Sequence, residues 1–232
     1  MTPNGPARLA VQLYSVRDAL AADLGATLGR VAAAGYLGVE TLGFPDGDPG
    51  PLTASLAEHD LALVGVMVGF VDADRFARDL DVVASVGATT VVIPFLPAES
   101  FASRAAIANA AEIVDEATAL GAERGIAVGY HNHYWEMTAV EGRTALCRLF
   151  DEVDPRAFAE VDVYWAQVGG VDPAALLADL GDRVRRLHVK DGPAREPAEP
   201  MVAVGRGAVD VVATLDAAPA AEWHVVELDA CA

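Results

Sequence analysis

Eight short β-rich runs alternate with helical segments along this 232-residue chain, and no other feature of the sequence constrains the fold as strongly. The runs are rich in Val, Ile and Leu, whereas the segments between them repeat apolar residues at helical spacing. One run and its helix take roughly 25–35 residues, which is the size of a βα unit. The predicted strands lie at 8–14, 38–42, 61–68, 89–94, 126–131, 157–162, 184–189 and 223–228.

Seven predicted helices fill the intervals, at 24–34, 51–59, 71–86, 102–124, 141–150, 173–180 and 208–216. Parallel strands without edge-protecting devices are expected to close on themselves, because a closed barrel leaves no unpaired edge. We therefore predict an α/β fold, a (β/α)8 TIM barrel that forms a single domain over residues 1–232. A doubly wound open sheet is the alternative, and the absence of a G-x-G-x-x-G turn after the first strand disfavours it.

The end of the sequence lies about four residues after the eighth predicted strand, so we expect these residues to lack the closing C-terminal helix of such a barrel. An apolar stripe along Val225 and Leu228 would then be exposed, and soluble monomers rarely tolerate such a stripe. We expect either a homo-oligomer that covers it or a native chain longer than these residues.

The charge of the chain argues against several classes of partner. A net charge of −18 repels phosphate backbones, and no Lys/Arg cluster predicts nucleic-acid binding. No apolar run reaches the roughly 18 residues of a membrane span. The N-terminus lacks a basic-then-apolar signal, which predicts a cytoplasmic protein. Cys147 and Cys231 are too few for a disulfide framework, and we expect both to be inert thiols.

The ends of four predicted strands carry the residues with the most chemistry, namely His131 and His133, Asp162, His188 and Lys190, and Glu227. Because the carboxyl ends of barrel strands meet at one mouth, we expect these side chains to converge. Carboxylates and imidazoles are ligands of divalent metal ions, so a metal site is predicted there.

Ordinary structural roles are the alternatives for these residues. The carboxylate of Asp162 would then bond to barrel backbone, and His188 would be a satisfied core residue. An ion pair with Lys190 or Arg206 is the corresponding alternative for Glu227.

The motifs in this order resemble the sugar phosphate isomerase/epimerase family of xylose-isomerase-like barrels, which includes inosose dehydratases and endonuclease IV. The matching segments span nearly the whole chain, at 12–18, 34–40, 131–136, 162–167, 188–191, 204–210 and 226–229. Three positions depart from the family pattern. Met67 stands where many relatives have His, His131 ends the fifth strand where sugar epimerases usually have Glu, and Arg206 replaces the Glu of a Gly-Glu-Gly motif.

This resemblance implies a divalent metal cofactor, with Mn²⁺ expected first and Mg²⁺, Co²⁺ or Zn²⁺ as alternatives. The expected metal ligands are Glu136, Asp162, His188 and Glu227, although Glu136 is as readily interpreted as a solvated loop residue. Proton transfer is expected from Glu227 and His131, with Lys190 neutralising an oxyanion. The expected substrate-binding residues are Gln12, Glu40, His133 and Trp165, with Tyr14 and Trp165 as apolar walls for a sugar ring.

The function that follows is a divalent-metal-dependent sugar isomerase or epimerase that works through a metal-stabilised enediolate. A metal-dependent lyase or dehydratase of inosose or 3-keto-sugar type shares the chemistry up to the enediolate and remains an alternative. A non-catalytic sugar-binding barrel is the alternative from another class. A hydrolytic nuclease is disfavoured by the charge and by too few His residues for a trinuclear zinc site.

Overall fold

The computed structural model describes residues 8–44 and 47–230, and eight of its strands close into a parallel barrel. In chain order the strands are β1 (Arg8–Gln12), β2 (Gly38–Leu42), β3 (Ala62–Met67), β4 (Thr90–Ile93), β5 (Ala127–His131), β6 (Ala139–Val140), β7 (Arg143–Thr144), β8 (Phe158–Asp162), β9 (Val184–Val189) and β10 (Trp223–Val226). β6 and β7 form a separate antiparallel hairpin. The other eight follow one another around the barrel, and β10 closes against β1, which confirms the predicted TIM barrel.

Helices cover the outside of this barrel. Those in the described residues are α1 (Arg17–Ala22), α2 (Leu24–Ala33), α3 (Gly50–Glu58), α4 (Ala73–Ser85), α5 (Arg104–Ala122), α6 (Ala145–Glu152), α7 (Val163–Val168), α8 (Pro173–Leu180) and α9 (Val211–Asp216). All seven predicted helices have a counterpart, whereas α1 and α7 were not predicted. The sequence gives no turn signal before α7, because Asp162 both ends β8 and caps the helix through the Trp165 N–H at 2.8 Å.

The predicted helix at 141–150 is wrong in its first turn. Glu141 and Gly142 both have positive φ, at 49° and 83°, and make the two-residue turn between β6 and β7. Such a turn joins the strands of a tight hairpin. Helix α6 starts only after Thr144, whose side chain accepts the Cys147 N–H at 3.2 Å. The predicted helix at 208–216 similarly begins later, after the capping residue Asp210.

Helix capping supplies one simple test of the fold. The Asp72 carboxylate accepts the Arg75 N–H at 2.8 Å at the start of α4. We expect Asp72→Ala to lower the free energy of unfolding by about 1 kcal/mol, because a helix N–H loses its acceptor. Urea denaturation measures the change. Asp72→Asn is the control and should stay within a few tenths of a kcal/mol, since Asn caps as well as Asp.

The predicted exposed stripe at the end of the chain is partly wrong. Val225 is fully buried in the barrel interior, packed with Ala10, Val64 and Trp223. Side chains alternate along a strand, so Val225 faces inward together with Trp223. Leu228 is half-buried and, with residues of β1, α1 and α2, lines an apolar cavity of about 360 Å³ outside the barrel. Self-association through this face stays a prediction.

The expectations about membrane spans and about the two cysteines can be compared with the described residues. None of their helices combines the length and apolar character that crossing a bilayer requires. Cys147 is a buried free thiol, and burial raises its pKa to about 11, as expected of an unreactive side chain. Cys231 lies outside the described residues.

Candidate metal centre at the barrel mouth

Four side chains meet where β5, β8, β9 and β10 end, and each offers one donor atom within 4.8 Å of the others. They are His131, Asp162, His188 and Glu227, and all four are buried. Strand register brings them together: Asp162 pairs with His188 between β8 and β9, and Val225 pairs with His188 between β9 and β10. The barrel therefore assembles a donor set of two imidazoles and two carboxylates from four strand ends.

His131 and Asp162 face each other through acceptor atoms. The Nδ1 atom of His131 lies 3.1 Å from the Pro94 carbonyl, which can only accept, so Nδ1 carries the proton in the neutral ring. The Nε2 atom then points its lone pair at Asp162 Oδ2, 3.4 Å away. Neither atom receives an aligned hydrogen bond, although both are buried. Asp162 Oδ2 has the Lys190 ammonium 3.0 Å away, whereas the His131 lone pair has no donor, and a cation or a proton between the two acceptor atoms would satisfy it.

The Asp162 backbone and carboxylate are held by their neighbours. The Asn132 amide accepts the Asp162 N–H at 3.0 Å and donates to the Asp162 carbonyl at 3.3 Å. Burial raises the pKa of Asp162, but the Lys190 ammonium at 3.0 Å outweighs it and lowers the pKa to about 2. Asp162 is therefore an anion at neutral pH. Asn132, which belongs to the matching segment at 131–136 but was not predicted as a site residue, fixes its position.

His188 has a carboxylate at each ring nitrogen. Its Nδ1 lies 2.8 Å from Glu227 Oε2, and its Nε2 lies 2.8 Å from Glu40 Oε2 and 3.1 Å from Glu160 Oε2. Burial lowers the pKa of His188, but the three carboxylates outweigh it and raise the pKa well above its usual value. An Nε2–H that bonds to Glu40 would leave Nδ1 free to bind a metal ion beside Glu227, because a carboxylate commonly accepts the remaining N–H of a histidine that binds a metal ion.

A charged layer lies below the mouth, inside the barrel. Arg186 donates to Glu40 Oε1 at 3.3 Å and to the Val64 carbonyl, and it lies 3.9 Å from Glu160. Gln12 donates to Glu40 Oε2 at 2.9 Å. A Cβ on Gly65 would come within 2.7 Å of Glu40 Oε1, so glycine leaves room for this layer. Glu40, Glu160 and His188 also offer donor atoms that lie within 4.8 Å of one another. Arg186, however, already supplies positive charge there.

Lys190 lies among three carboxylates at the mouth. Its ammonium is 3.0 Å from Asp162 Oδ2, 2.7 Å from Glu227 Oε2 and 2.9 Å from both oxygens of Asp229. Burial lowers the pKa of Lys190, but these three charges raise it above its usual range. The ammonium is therefore permanently charged. Asp229 is the partner that the sequence analysis missed.

A cavity of about 340 Å³ opens above these residues. Its polar wall consists of Gln12, His131, His133, Lys190, Glu227 and Asp229, and Tyr14, Leu42, Met67 and Phe95 add apolar surface. Two predicted substrate-binding residues, Gln12 and His133, thus reach the cavity. The other two, Glu40 and Trp165, do not line it: Glu40 is fully buried against His188, and the Trp165 ring lies 5.6 Å from the Lys190 ammonium.

Glu136, the fourth predicted ligand, is not brought to the cluster. Its carboxylate accepts the Tyr130 hydroxyl at 2.6 Å and the His133 N–H at 2.9 Å. Burial raises the pKa of Glu136 to about 7 despite these hydrogen bonds. The side chain is fully buried rather than a solvated loop residue, and it supports the loop that carries His133. Its role as a ligand stays a prediction.

The Gly205-Arg206-Gly207 segment has a structural role. The Asp191 carboxylate accepts the backbone N–H groups of Gly192, Gly205, Gly207 and Val209 at 2.8–3.2 Å. A Cβ at residue 207 would collide with Gly192 and Asp191, so this position requires glycine. Asp191 therefore ties the segment to the end of β9.

Comparison with known proteins agrees with this architecture. Residues 28–229 match the family described as xylose isomerase-like TIM barrel. The chain belongs to this family. No curated protein matches the chain. Members of the xylose isomerase-like family include sugar isomerases and epimerases, and a buried His/Asp/Glu cluster of the kind that holds a divalent cation is present here.

Solved structures share the xylose isomerase-like barrel at low sequence identity. A sugar phosphate isomerase/epimerase from Parabacteroides distasonis ATCC 8503 has a TM-score of 0.84 and 22% identity, with 98% of this chain and 88% of that chain covered. A D-allulose 3-epimerase from Methylomonas sp. has a TM-score of 0.68 and 18% identity, with 98% and 86% covered. A probable 3-DHS dehydratase from Bacillus anthracis has a TM-score of 0.71 and 13% identity, with 95% and 92% covered. At such identities the likeness concerns the fold.

Proposed function

We propose that the protein is a divalent-metal-dependent isomerase or epimerase of an unphosphorylated sugar. The proposal rests on the donor set of His131, Asp162, His188 and Glu227, in which the His131 Nε2 lone pair faces Asp162 Oδ2 at 3.4 Å without a hydrogen-bond donor. Two imidazoles and two carboxylates suit Mn²⁺, Co²⁺ or Zn²⁺, with Mg²⁺ less favoured by the nitrogen donors. His131 thus takes the ligand position first assigned to Glu136.

The charge balance of the site also supports a bound cation. The carboxylates of Glu40, Glu160, Asp162, Glu227 and Asp229 lie around the basic side chains of Lys190 and Arg186. In the metal-free protein, protonation of His188 offsets one further negative charge, yet an excess of two remains. Uncompensated buried charges are costly, and a divalent ion that takes the place of the His188 proton reduces the excess to one.

The reaction proposed is proton transfer at a carbon next to a carbonyl group. A bound divalent ion would polarise the substrate carbonyl and stabilise the negative charge that develops on its oxygen. Glu227, at the floor of the cavity, is placed to take the proton. Lys190, also in the wall, supplies a fixed positive charge to the substrate oxygens. Gln12 is fully buried, with its amide bonded to Glu40 and to the Tyr14 N–H, so it supports the wall of the cavity.

The cavity favours a sugar without a phosphate group. Among the described residues that line it, Lys190 is the only ammonium or guanidinium, and three carboxylates already surround that ammonium. A phosphate dianion would gain little from this lysine and would be repelled by Glu227 and Asp229. Tyr14 and Phe95 offer apolar faces on which a sugar ring can stack.

A lyase that expels a β-substituent is the second candidate, and His133 favours it. His133 stacks on Trp135 at 4.4 Å, and its Nδ1 has no hydrogen-bond partner. Burial and the neighbouring His131 lower the pKa of His133 to about 3, so its ring is neutral. A neutral imidazole on the cavity wall can donate a hydrogen bond to a leaving hydroxyl.

Turnover in D₂O separates the candidates. We expect Mn²⁺-loaded protein, incubated with ketoses, inososes and 3-keto-glucosides, to incorporate deuterium into one substrate next to its carbonyl, as detected by NMR. Formation of an enone or release of an aglycone would identify the lyase instead. Sugar and metal binding without either product would identify a non-catalytic barrel. Protein with Asp162→Asn is the control and should show no exchange.

A further inference from the structure

Asp229 has no role in the chemistry proposed above, although it is one of the three carboxylates that contact Lys190. Its side chain is 32% exposed, against 8% for Glu227 and none for Asp162, so it is the outermost of the three carboxylates around Lys190. Both of its oxygens lie 2.9 Å from the Lys190 ammonium. Asp229 is therefore the lysine's partner on the cavity side.

The Lys190 ammonium contacts the same two oxygens that a metal ion would use. It lies 3.0 Å from Asp162 Oδ2 and 2.7 Å from Glu227 Oε2. Asp162 and Glu227 belong to the donor set that includes His131 and His188, and these two oxygens are the ones that face the imidazoles, at 3.4 Å and 2.8 Å. An ammonium and a divalent ion at the same oxygens repel each other strongly at such short range. Both can be held only if the ammonium has a second anchor.

We propose that Asp229 is a positioning residue that retains the Lys190 ammonium at the cavity wall when a divalent cation occupies the oxygens of Asp162 and Glu227. The inference rests on the proposed function in so far as the site binds such a cation. The Trp165 ring, 5.6 Å from the ammonium, adds a weaker attraction on the same side chain. Anchored in this way, the lysine faces the substrate oxygens and competes less with the metal ion.

Metal affinity tests this role without any substrate. Titration with Mn²⁺, followed by the EPR signal of the free ion, gives the Kd of the wild-type protein and its variants. We expect Asp229→Asn to raise the Kd about tenfold, within the usual range of coupling between two sites, because the ammonium falls back on Asp162 and Glu227. The separate variant Asp229→Glu should have a Kd near that of the wild type, because it keeps the negative charge that anchors the ammonium.

A double-mutant cycle with Lys190→Gln separates anchoring from simple loss of charge. In the Lys190→Gln protein, Asp229→Asn should raise the Kd by clearly less than in the wild type, because no ammonium remains to be held. An equal rise in both backgrounds, or no rise in either, would overturn the inference. Wild-type protein that binds no Mn²⁺ would overturn the proposed function as well.

A structure of the Mn²⁺-loaded wild-type protein gives a second measurement, which does not depend on the folding of Lys190→Gln. We expect Lys190 Nζ to remain within hydrogen-bond distance of Asp229 and to leave Asp162 Oδ2 and Glu227 Oε2. A lysine that turns away from Asp229 in that structure would overturn the inference. Retained turnover of Asp229→Asn at saturating Mn²⁺, with an unchanged Kd, would do the same.

Discussion

Glu227→Gln should lose turnover by a factor of about 10²–10⁴ while the protein stays folded, because the change removes the proposed proton acceptor with little change in shape. The side chain lies between His188 Nδ1 at 2.8 Å and Lys190 Nζ at 2.7 Å. An amide there also binds a metal ion less well than a carboxylate. Turnover assays at saturating Mn²⁺, with Kd measured in parallel, separate the lost base from the lost ligand. Near-normal kcat would place the base elsewhere, with His131 the next candidate.

Glu136→Gln is the matched control for this experiment. Both residues are buried glutamates, but the Glu136 oxygens accept hydrogen bonds from Tyr130 and from the His133 N–H. We expect this variant to keep its affinity for Mn²⁺ and to lose about 1–3 kcal/mol of stability, because the amide cannot satisfy both donors. A large loss of Mn²⁺ affinity would instead support Glu136 as a ligand and exclude His131 from that position.

The barrel and its strand ends could be predicted because both depend on local patterns. Apolar runs of strand length recur at the spacing of βα units, and polar residues at their carboxyl ends stand out against those runs. The helix boundaries were less predictable where one residue has two roles. Asp162 is the last residue of β8, a candidate ligand and the cap of α7, so no separate turn marks the boundary.

The charged layer below the mouth was missed, although the sequence contains a signal for it. Glu160 precedes Asp162 by two positions, and Arg186 precedes His188 by two, so each pair shares one face of its strand. The same parity places Val225 inside the barrel with Glu227. Only the strand ends were predicted to carry site residues, because a Glu or Arg deep within an apolar run is rarely buried unless it is paired. The pairs are formed between β2, β8 and β9 and become visible only after the barrel closes.

The position of Glu136 could not be predicted from sequence spacing. It lies in a loop between β5 and β6, where the strand periodicity that orders His131 and His133 has ended. A 3-10 turn at Trp135–Met137 directs its carboxylate to Tyr130 instead of the cluster. The direction of the Glu136 side chain therefore depends on the packing of the whole loop and not on the spacing of residues in the sequence.

Arg186→Met should destabilise the protein by about 3–5 kcal/mol, the largest stability effect that we expect from a single substitution. Arg186 is 3% exposed and is the basic partner of the fully buried Glu40 and Glu160. Removing one member of a buried ion pair leaves an uncompensated charge in a medium that solvates it poorly. Urea denaturation in the absence of metal measures the loss. A second change, Glu160→Gln, should recover part of it, because it removes one of the unpaired charges.

Arg185→Met, at the adjacent position of the same strand, is the matched control. Arg185 pairs with Glu222 at 2.8 Å, and both side chains are partly exposed, at 40% and 33%. Solvent screens such a pair, so this variant should lose less than about 1 kcal/mol. Equal losses of stability at the two positions would mean that the charge of Arg186 does not stabilise the fold. The charges of Glu40 and Glu160 would then be neutralised by other groups. A loss confined to Arg186 would identify the charged layer as the support on which His188 is held.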